Sequence, residues 1–434
     1  MNYDPPLEMN EVLSMGSSRR SFRPVWAILF SVFVAVGVVV FFLGILGETA
    51  DRTWHAYLVN YLFWFSLAFG MVLYGAVMNM TLADWARPTK RLSEALGPFL
   101  PLSLPMLWVL YPARETIFTW VRDPVPEKSY WLNVRFMFIR NSVGLIVLSA
   151  LGLALIYYSV RGDRSAGSLS EEELKEENID DAIQRRRNSP AWRAQVRLSP
   201  ALAILYGIVL SSVGLDLAMS LDPQWYSTLF PAYYFLNSFY IGLAALVIFS
   251  ALSLNGLGLK PLVRPRYFHD LGKILFGFCM LSGYFFYAQF IVIWYGNIPE
   301  ETRYLIARFR YSPWEGLAYV ILIITFFFPI LILLFRRIKL SPALLSTVSA
   351  VILIGYWLER FILVEPTYWK EQTLPIGIPE VGIAAGFLGL IGLSVLLFLR
   401  SVPILPVSDP LFLTFLKRER NGHLEEERKK FGFI

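Results

Sequence analysis

Ten stretches of about 20 apolar residues, spread along the whole chain, constrain this fold more than any other feature. They cover roughly 24–46, 56–80, 92–111, 133–160, 200–219, 227–252, 271–296, 314–335, 342–364 and 380–400. At 1.5 Å per residue, each can cross a hydrocarbon layer as a helix. The predicted fold class is all-α integral membrane, with ten transmembrane helices. The expected division is an N-tail over 1–23, a membrane domain over 24–403 and a C-tail over 404–434. Only 17% of residues are charged and mean hydropathy is +0.52, which excludes a string of soluble domains.

Charge sets the expected orientation. With the N-terminus inside, 28 of the 39 Lys and Arg residues fall on the inner side. Both termini and the polar insertion 161–198 are therefore expected in the cytoplasm, in a plasma membrane. The net charge of +6 reflects this bias and argues against a nucleic-acid partner. Arg19, Arg20 and Arg23 flank the first segment, and no small-residue cleavage site follows, so it reads as a retained helix.

Local signals mark helix ends. Ser312-Pro313-Trp314-Glu315 reads as an N-cap, a first-turn proline and a capping-box glutamate. Ser341-Pro342, Ile378-Pro379-Glu380 and Asp222-Pro223 repeat the proline-first logic. Pro98, Pro101 and Pro105 predict a kinked third helix. Ser170 with Glu173 suggests a capping box, and the acid-to-base run that follows predicts a short surface helix. The tail after Leu405 reads as only partly ordered.

Ionisable groups inside a bilayer are costly, so their depth makes them candidates. In the outer half these are Arg140, Asp216 and Glu359, with Arg360 beside them and Arg135 shallower. In the inner half they are Asp84, His269 and Asp270, with Glu94 and Lys273. They could form two partial proton routes, joined through Tyr284, Tyr287 and bound water. Closed ion pairs explain them equally well. Asn60, Ser66, Asn79, Tyr233, Tyr234, Asn237, Ser238, Ser282 and Gln289 read as groups that hydrogen-bond between helices or hold a water chain. His55, His269 and His423 lie at unmatched depths, so no b-type haem is expected. The single Cys279 excludes an internal disulfide or a four-cysteine cluster. No metal site and no catalytic residue are expected in this chain.

Three strings carry a resemblance. They are HAYLVNYLFWFSLAFGMVLYGAVMNMTLADWARPTKRLSEALGPFLP, GLDLAMSLDPQWYSTLFPAYYF and HDLGKILFGFCMLSGYFFYAQFIVIWYGNIPEET. From about 55 to 400 the chain resembles the NrfD / polysulfide-reductase membrane subunits, and most of all the ActF-type subunits of bacterial alternative complex III, a quinol:electron-acceptor oxidoreductase. The resemblance implies two four-helix bundles, helices two to five and six to nine, flanked by helices one and ten. It implies as partners a sister NrfD-like subunit, multihaem and monohaem cytochrome c subunits, an iron–sulfur subunit, and the menaquinol or ubiquinol pool. Haem c and iron–sulfur clusters would then sit in those partners, with no cofactor in this chain beyond quinone or lipid. Where the sister subunit's junction has a histidine, this chain has Tyr226. Tyrosine is a poor base near neutral pH, so quinol oxidation is expected in the sister, with Tyr226 the one quinone candidate here. A stand-alone secondary transporter and a purely structural anchor are the alternative readings.

Overall fold

The computed structural model describes residues 23–166, 173, 178–369 and 371–430. Among these, ten helices are long and apolar enough to cross a membrane. We label them α1 (Pro24–Leu46), α2 (Ala50–Met80), α3 (Arg87–Val109), α4 (Val134–Ala166), α5 (Pro190–Leu217), α6 (Phe230–Gly256), α7 (Pro265–Gly296), α8 (Trp314–Leu334), α9 (Pro342–Val364) and α10 (Ile378–Ser401). This is the architecture of a multi-pass membrane protein.

The start of α3, the α4–α5 and α6–α7 connections and the C-terminal segment meet at one end, here the tail end. Arg87–Asp409, Arg186–Val407 and Arg264–Glu419 contacts tie them together. The α8–α9 connection joins that tail end, with Lys339 against Gly272 of α7, whereas the α3–α4, α5–α6 and α7–α8 connections meet at the far end, where Lys128 donates to the Pro223 carbonyl and Arg303 pairs with Asp222.

The core is the crossing of α2 and α6. Both helices are buried along most of their length. The backbones touch at Gly70 and Gly242: a Cβ on Gly242 would lie 2.4 Å from the Gly70 carbonyl carbon. Ser238 donates to Ser66 at 2.9 Å beside this contact, and a small-residue crossing with a hydroxyl pair suits helices that lack a hydrophobic drive to associate. α5 packs on α2, α4 and α6, and α9 on α2 and α6. α8 lies between α7 and α9, while α1 rests against α10. Gly37 is the one buried residue of α1, as expected for a helix bathed in lipid.

The proline signals hold unevenly. α3 is broken into short α and 3-10 turns, with Pro98 and Pro101 in the 3-10 stretch. Ser341 caps α9 by accepting from the Leu344 amide, and Glu380 accepts from the Gly377 amide at the start of α10. Two expectations fail. Ser312 does not cap α8, because the Tyr311 carbonyl already takes the Trp314 and Glu315 amides. α6 begins at Phe230, with Pro231 in its first turn, so Asp222-Pro223 does not open it. Asp222 is committed instead to Arg303.

The expected surface helix in 161–198 forms at Ile179–Arg187, acidic in its first turn and basic in its last. The capping box at Ser170 lies outside the described residues. The C-terminal segment is more ordered than its polar end suggests. A helix runs over Pro410–Lys430, and Leu411, Phe412, Leu413, Phe415 and Leu416 are buried. A short apolar run too brief for a bilayer thus finds its cover on the tail end of the bundle.

Candidate functional site: a lateral cavity beside a buried carboxylate

The connection after α7 is PEETRYLIARF, an amphipathic helix over Pro299–Phe309. Tyr304 and Arg308 are four apart, hence on one face, and both are buried. The Arg308 guanidinium lies 3.5 Å from the Tyr304 ring centroid and donates to the carbonyls of Ile362 and Leu363. It thereby satisfies carbonyls in the last turn of α9, where positive charge is favoured. Burial lowers the Arg308 pKa and pushes Tyr304 up to about 12. Trp225 stacks on the other side of Tyr304, at 3.8 Å and nearly parallel.

This stack closes the far end of a cavity of about 510 Å³ between α7, α8 and α9. One wall is α8, whose Ile323–Phe327 turn is π-helical. Such turns recur at functional sites. The wide turn pushes Phe326 toward α7, where a Cβ on Gly283 would meet its ring at 2.1 Å. Only glycine leaves room there. The lining is almost wholly apolar and aromatic.

Glu359 on α9 supplies the carboxylate of this cavity and is 5% exposed. Arg360 donates to its Oε2 at 2.6 Å, and the guanidinium lies over the Tyr234 ring at 4.3 Å. Arg360 Nε and Arg360 Nη2 find no hydrogen-bond partner in the protein, and besides Arg360 the Glu359 carboxyl has the Tyr233 hydroxyl near it. The pair is therefore incompletely satisfied, which is expensive in a dry setting.

The remaining candidates sit elsewhere. Asp216 is fully buried and saturated: it accepts from Arg140 Nε at 2.8 Å, Asn141 at 2.6 Å and Trp131 at 3.1 Å. Arg140 also lies over the Trp131 ring. The outer-half cluster is thus two separate pairs, Arg140–Asp216 between α4 and α5, and Glu359–Arg360 within α9. Asp84 pairs with Arg418 of the C-terminal helix, and Asp270 with Lys273. His269 Nδ1 lies 3.8 Å from Asp270. These inner groups are partly exposed at the tail end and do not reach the outer pairs through any hydrogen bond among the described residues. Tyr284 and Tyr287 line the cavity yet are 63% and 60% exposed, so they face the cavity mouth and not the bundle interior. Tyr226 is 55% exposed, with the Lys128 ammonium over its ring. Its neighbour Trp225 is the one that turns inward. The neutral groups mostly bond between helices: Ser282 to Tyr356, Tyr356 to Asn237, Trp357 to Asn60 and Ser227 to Gln289.

Sequence reasoning missed three constellations. The first is the Trp225–Tyr304–Arg308 stack. The second is a buried charge network at the tail end. Arg87 and Lys90 both donate to Asp409 Oδ2, at 3.1 and 2.7 Å, and Arg91 bridges Glu94 and Asp163. Burial disfavours the Asp409 carboxylate, but Arg87 and Lys90 outweigh it and hold its pKa below the usual range. The string Ser408-Asp409-Pro410 is a helix-start signal that could have revealed it. The third is His55, stacked on Tyr368 at 4.0 Å and 3.8 Å from Glu365, both His55 and Glu365 being buried. Among the described residues no group of three or more His, Cys, Asp or Glu side chains is placed to hold a metal ion. No protein-family model matches the chain, and no curated protein matches it significantly.

Proposed function

We propose that this chain is a non-haem membrane subunit of a bacterial quinol:electron-acceptor oxidoreductase of the alternative complex III kind, seated in the plasma membrane with both termini cytoplasmic. In this reading it scaffolds the complex and carries part of a proton route, while quinol is oxidised in a sister NrfD-like subunit. Cytochrome c and iron–sulfur subunits hold the redox centres. The observation that supports it is the neighbour relation of the helices. α2 to α5 form one ring of mutual contacts and α6 to α9 a second, joined at the α2–α6 crossing, with α1 and α10 outside. These neighbour relations support a reading as two four-helix bundles with flanking helices, as the family resemblance implies.

Copurification tests the reading. The tagged full-length chain, drawn from its native membrane in mild detergent, should bring haem c absorbance with it. A solitary monomer or homodimer without cytochromes overturns the complex. For the proton route, Glu359→Gln in the assembled complex should leave quinol oxidation running and lower the protons released per turnover. Unchanged proton stoichiometry reduces the chain to an anchor.

One observation favours a secondary transporter as the second reading. α3 is broken into short turns, and the π-helical turn of the otherwise continuous α8 lines a cavity; transporter binding sites often use such irregular helices. A homogeneous, cytochrome-free preparation would select it.

A further inference from the structure

We propose that the tail-end junction of α7, α8 and α9 binds an anionic phospholipid, with Lys273, Arg336, Arg337 and Lys339 as the cationic partners of its phosphate and an acyl chain lying along α7 over Gly277. The inference does not rest on the respiratory-complex reading, because it follows from this chain's own residues.

The short connection between α8 and α9 brings the cations together. It is a single turn of helix over Arg336–Leu340. The Lys339 stem is pressed against α7: a Cβ on Gly272 would lie 2.8 Å from Lys339 Cγ, and the ammonium is 5.9 Å from the Phe276 ring centroid. Lys273 follows Gly272 on α7 and is half exposed. The charges of Lys273, Lys339 and Arg336 all bear on the His269 imidazole, so the groups share one neighbourhood. Arg337 adjoins them and is exposed. The carboxylate in this group is Asp270, and Lys273 already holds it at 2.6 Å. Arg336, Arg337 and Lys339 make no hydrogen bond or ion pair among the described residues. Burial and the Lys273 charge together lower the Lys339 pKa, as uncompensated positive charge does.

Position then selects the ligand. The cations fall between Leu334, where α8 ends, and Pro342, where α9 begins, hence at the edge of the apolar layer. Just before them Leu331, Leu334 and Phe335 are exposed. On α7, Gly277 is four residues beyond Lys273 and so on the same face, and a Cβ there would meet nothing within 4 Å. A ligand that serves both zones has a negative head and a hydrocarbon tail. A phosphodiester stays charged at neutral pH and accepts from several donors at once, and clusters of Lys and Arg beside a span attract anionic lipid. Free phosphate would leave the apolar strip bare, and an acidic protein segment would leave the space over Gly277 unfilled.

The test uses purified full-length protein in phosphatidylcholine nanodiscs carrying a trace of photoactivatable phosphatidylglycerol, with its diazirine near the head of one acyl chain. Phosphatidylcholine with the same chains is the reference probe. The anionic probe should label 273–281 and 331–337 about tenfold or more strongly than the reference. Arg336→Gln combined with Lys339→Gln should cut that preference to within about threefold. Arg193→Gln combined with Arg197→Gln removes two exposed cations of α5 and should leave it unchanged. Gly277→Phe keeps every cation and obstructs the acyl path, so it should lower anionic labelling of 331–337 severalfold, and it decides the matter should the charge variant not fold. Equal labelling by the two probes in the wild type would leave the patch to a soluble acidic partner and overturns the proposal. An equal loss in the α5 variant does so too, since it would mean diffuse attraction to a basic surface. Displacement of the probe by millimolar glycerophosphate would make this a site for soluble phosphate and likewise overturns it.

Discussion

Asp409→Asn is the substitution whose effect follows most directly from the structure. The carboxylate is 2% exposed and accepts from Arg87, Lys90 and the Leu411 amide. The amide keeps the shape and removes the charge. Two buried cations then lose their counter-ion, a change that costs about 3–5 kcal/mol for a buried pair. The low end applies here, because Lys90 still bonds Gln195 and Arg87 still bonds Asn79 and the Met78 carbonyl. Asp409 opens the C-terminal helix, so the loss falls on the docking of that helix. At about 3 kcal/mol, the undocked population rises on the order of a hundredfold. Trypsin cleavage at Lys417 and Arg418 samples that population when docking is faster than cleavage, so the rate should rise by the same factor. The acid limb adds a second check. The folded pKa of Asp409 is depressed below its ordinary 3.8. Its stabilisation is therefore complete above that value and is lost as pH falls through the folded one. Tail protection in the wild type should accordingly be flat near neutrality and fall only in strong acid, and Asp409→Asn should lack that contribution at every pH. A rise in cleavage of less than about threefold would refute the reasoning.

Asp216→Asn should destabilise the protein by about 2 kcal/mol or more, since Arg140 loses its carboxylate; size-exclusion profiles of folded protein read this directly, and an undiminished folded peak would sink the ion-pair account. Gly242→Val should abolish the folded peak altogether, because a side chain there collides with the Gly70 backbone of the core crossing; a normal profile would show that α2 and α6 do not cross so closely. For orientation, Cys279 is buried and gives little background, so Arg185→Cys, exposed on the tail-end helix, reports one side. It should resist a membrane-impermeant maleimide in whole cells and react after permeabilisation, and ready labelling of intact cells would invert the topology.

The spans were legible because a bilayer-length apolar run admits few other structures. Their ends were less so. α5 starts at Pro190, ten residues before the expected boundary at 200, because Ser189 caps it and the charged first turns extend beyond the apolar window. The C-terminal helix was undervalued for the opposite reason. Its buried run Leu411–Leu416 is short and is followed by a highly charged stretch, so hydropathy alone gave it no place to dock. Its anchor, Asp409, is meaningful only once Arg87 and Lys90 are brought beside it from more than 300 residues away. Glu359, Tyr284 and Tyr287 were readable as out of place in apolar helices. Trp225, Tyr304 and Arg308 were not, because they lie between spans, where polar and aromatic residues are unremarkable. The i,i+4 spacing of Tyr304 and Arg308 in an amphipathic stretch was the available signal.

The buried charges can be ranked by how completely the protein satisfies them, and that ranking separates support from chemistry. Asp216 accepts from four residues within 3.4 Å, and Asp409 is met on both oxygens. A carboxylate so saturated has no capacity left for a ligand or a proton carrier, so its cost is already offset in the folded state. Glu359 differs. Its donors are Arg360 and the nearby Tyr233 hydroxyl, two arginine nitrogens beside it are unpaired, and the carboxyl fronts a cavity. The pattern of partners, more than the depth of the charge, points to where this chain meets something outside itself. Depth alone, which is all that sequence provides, places Arg140, Asp216 and Glu359 in one class; their hydrogen bonds divide them into two.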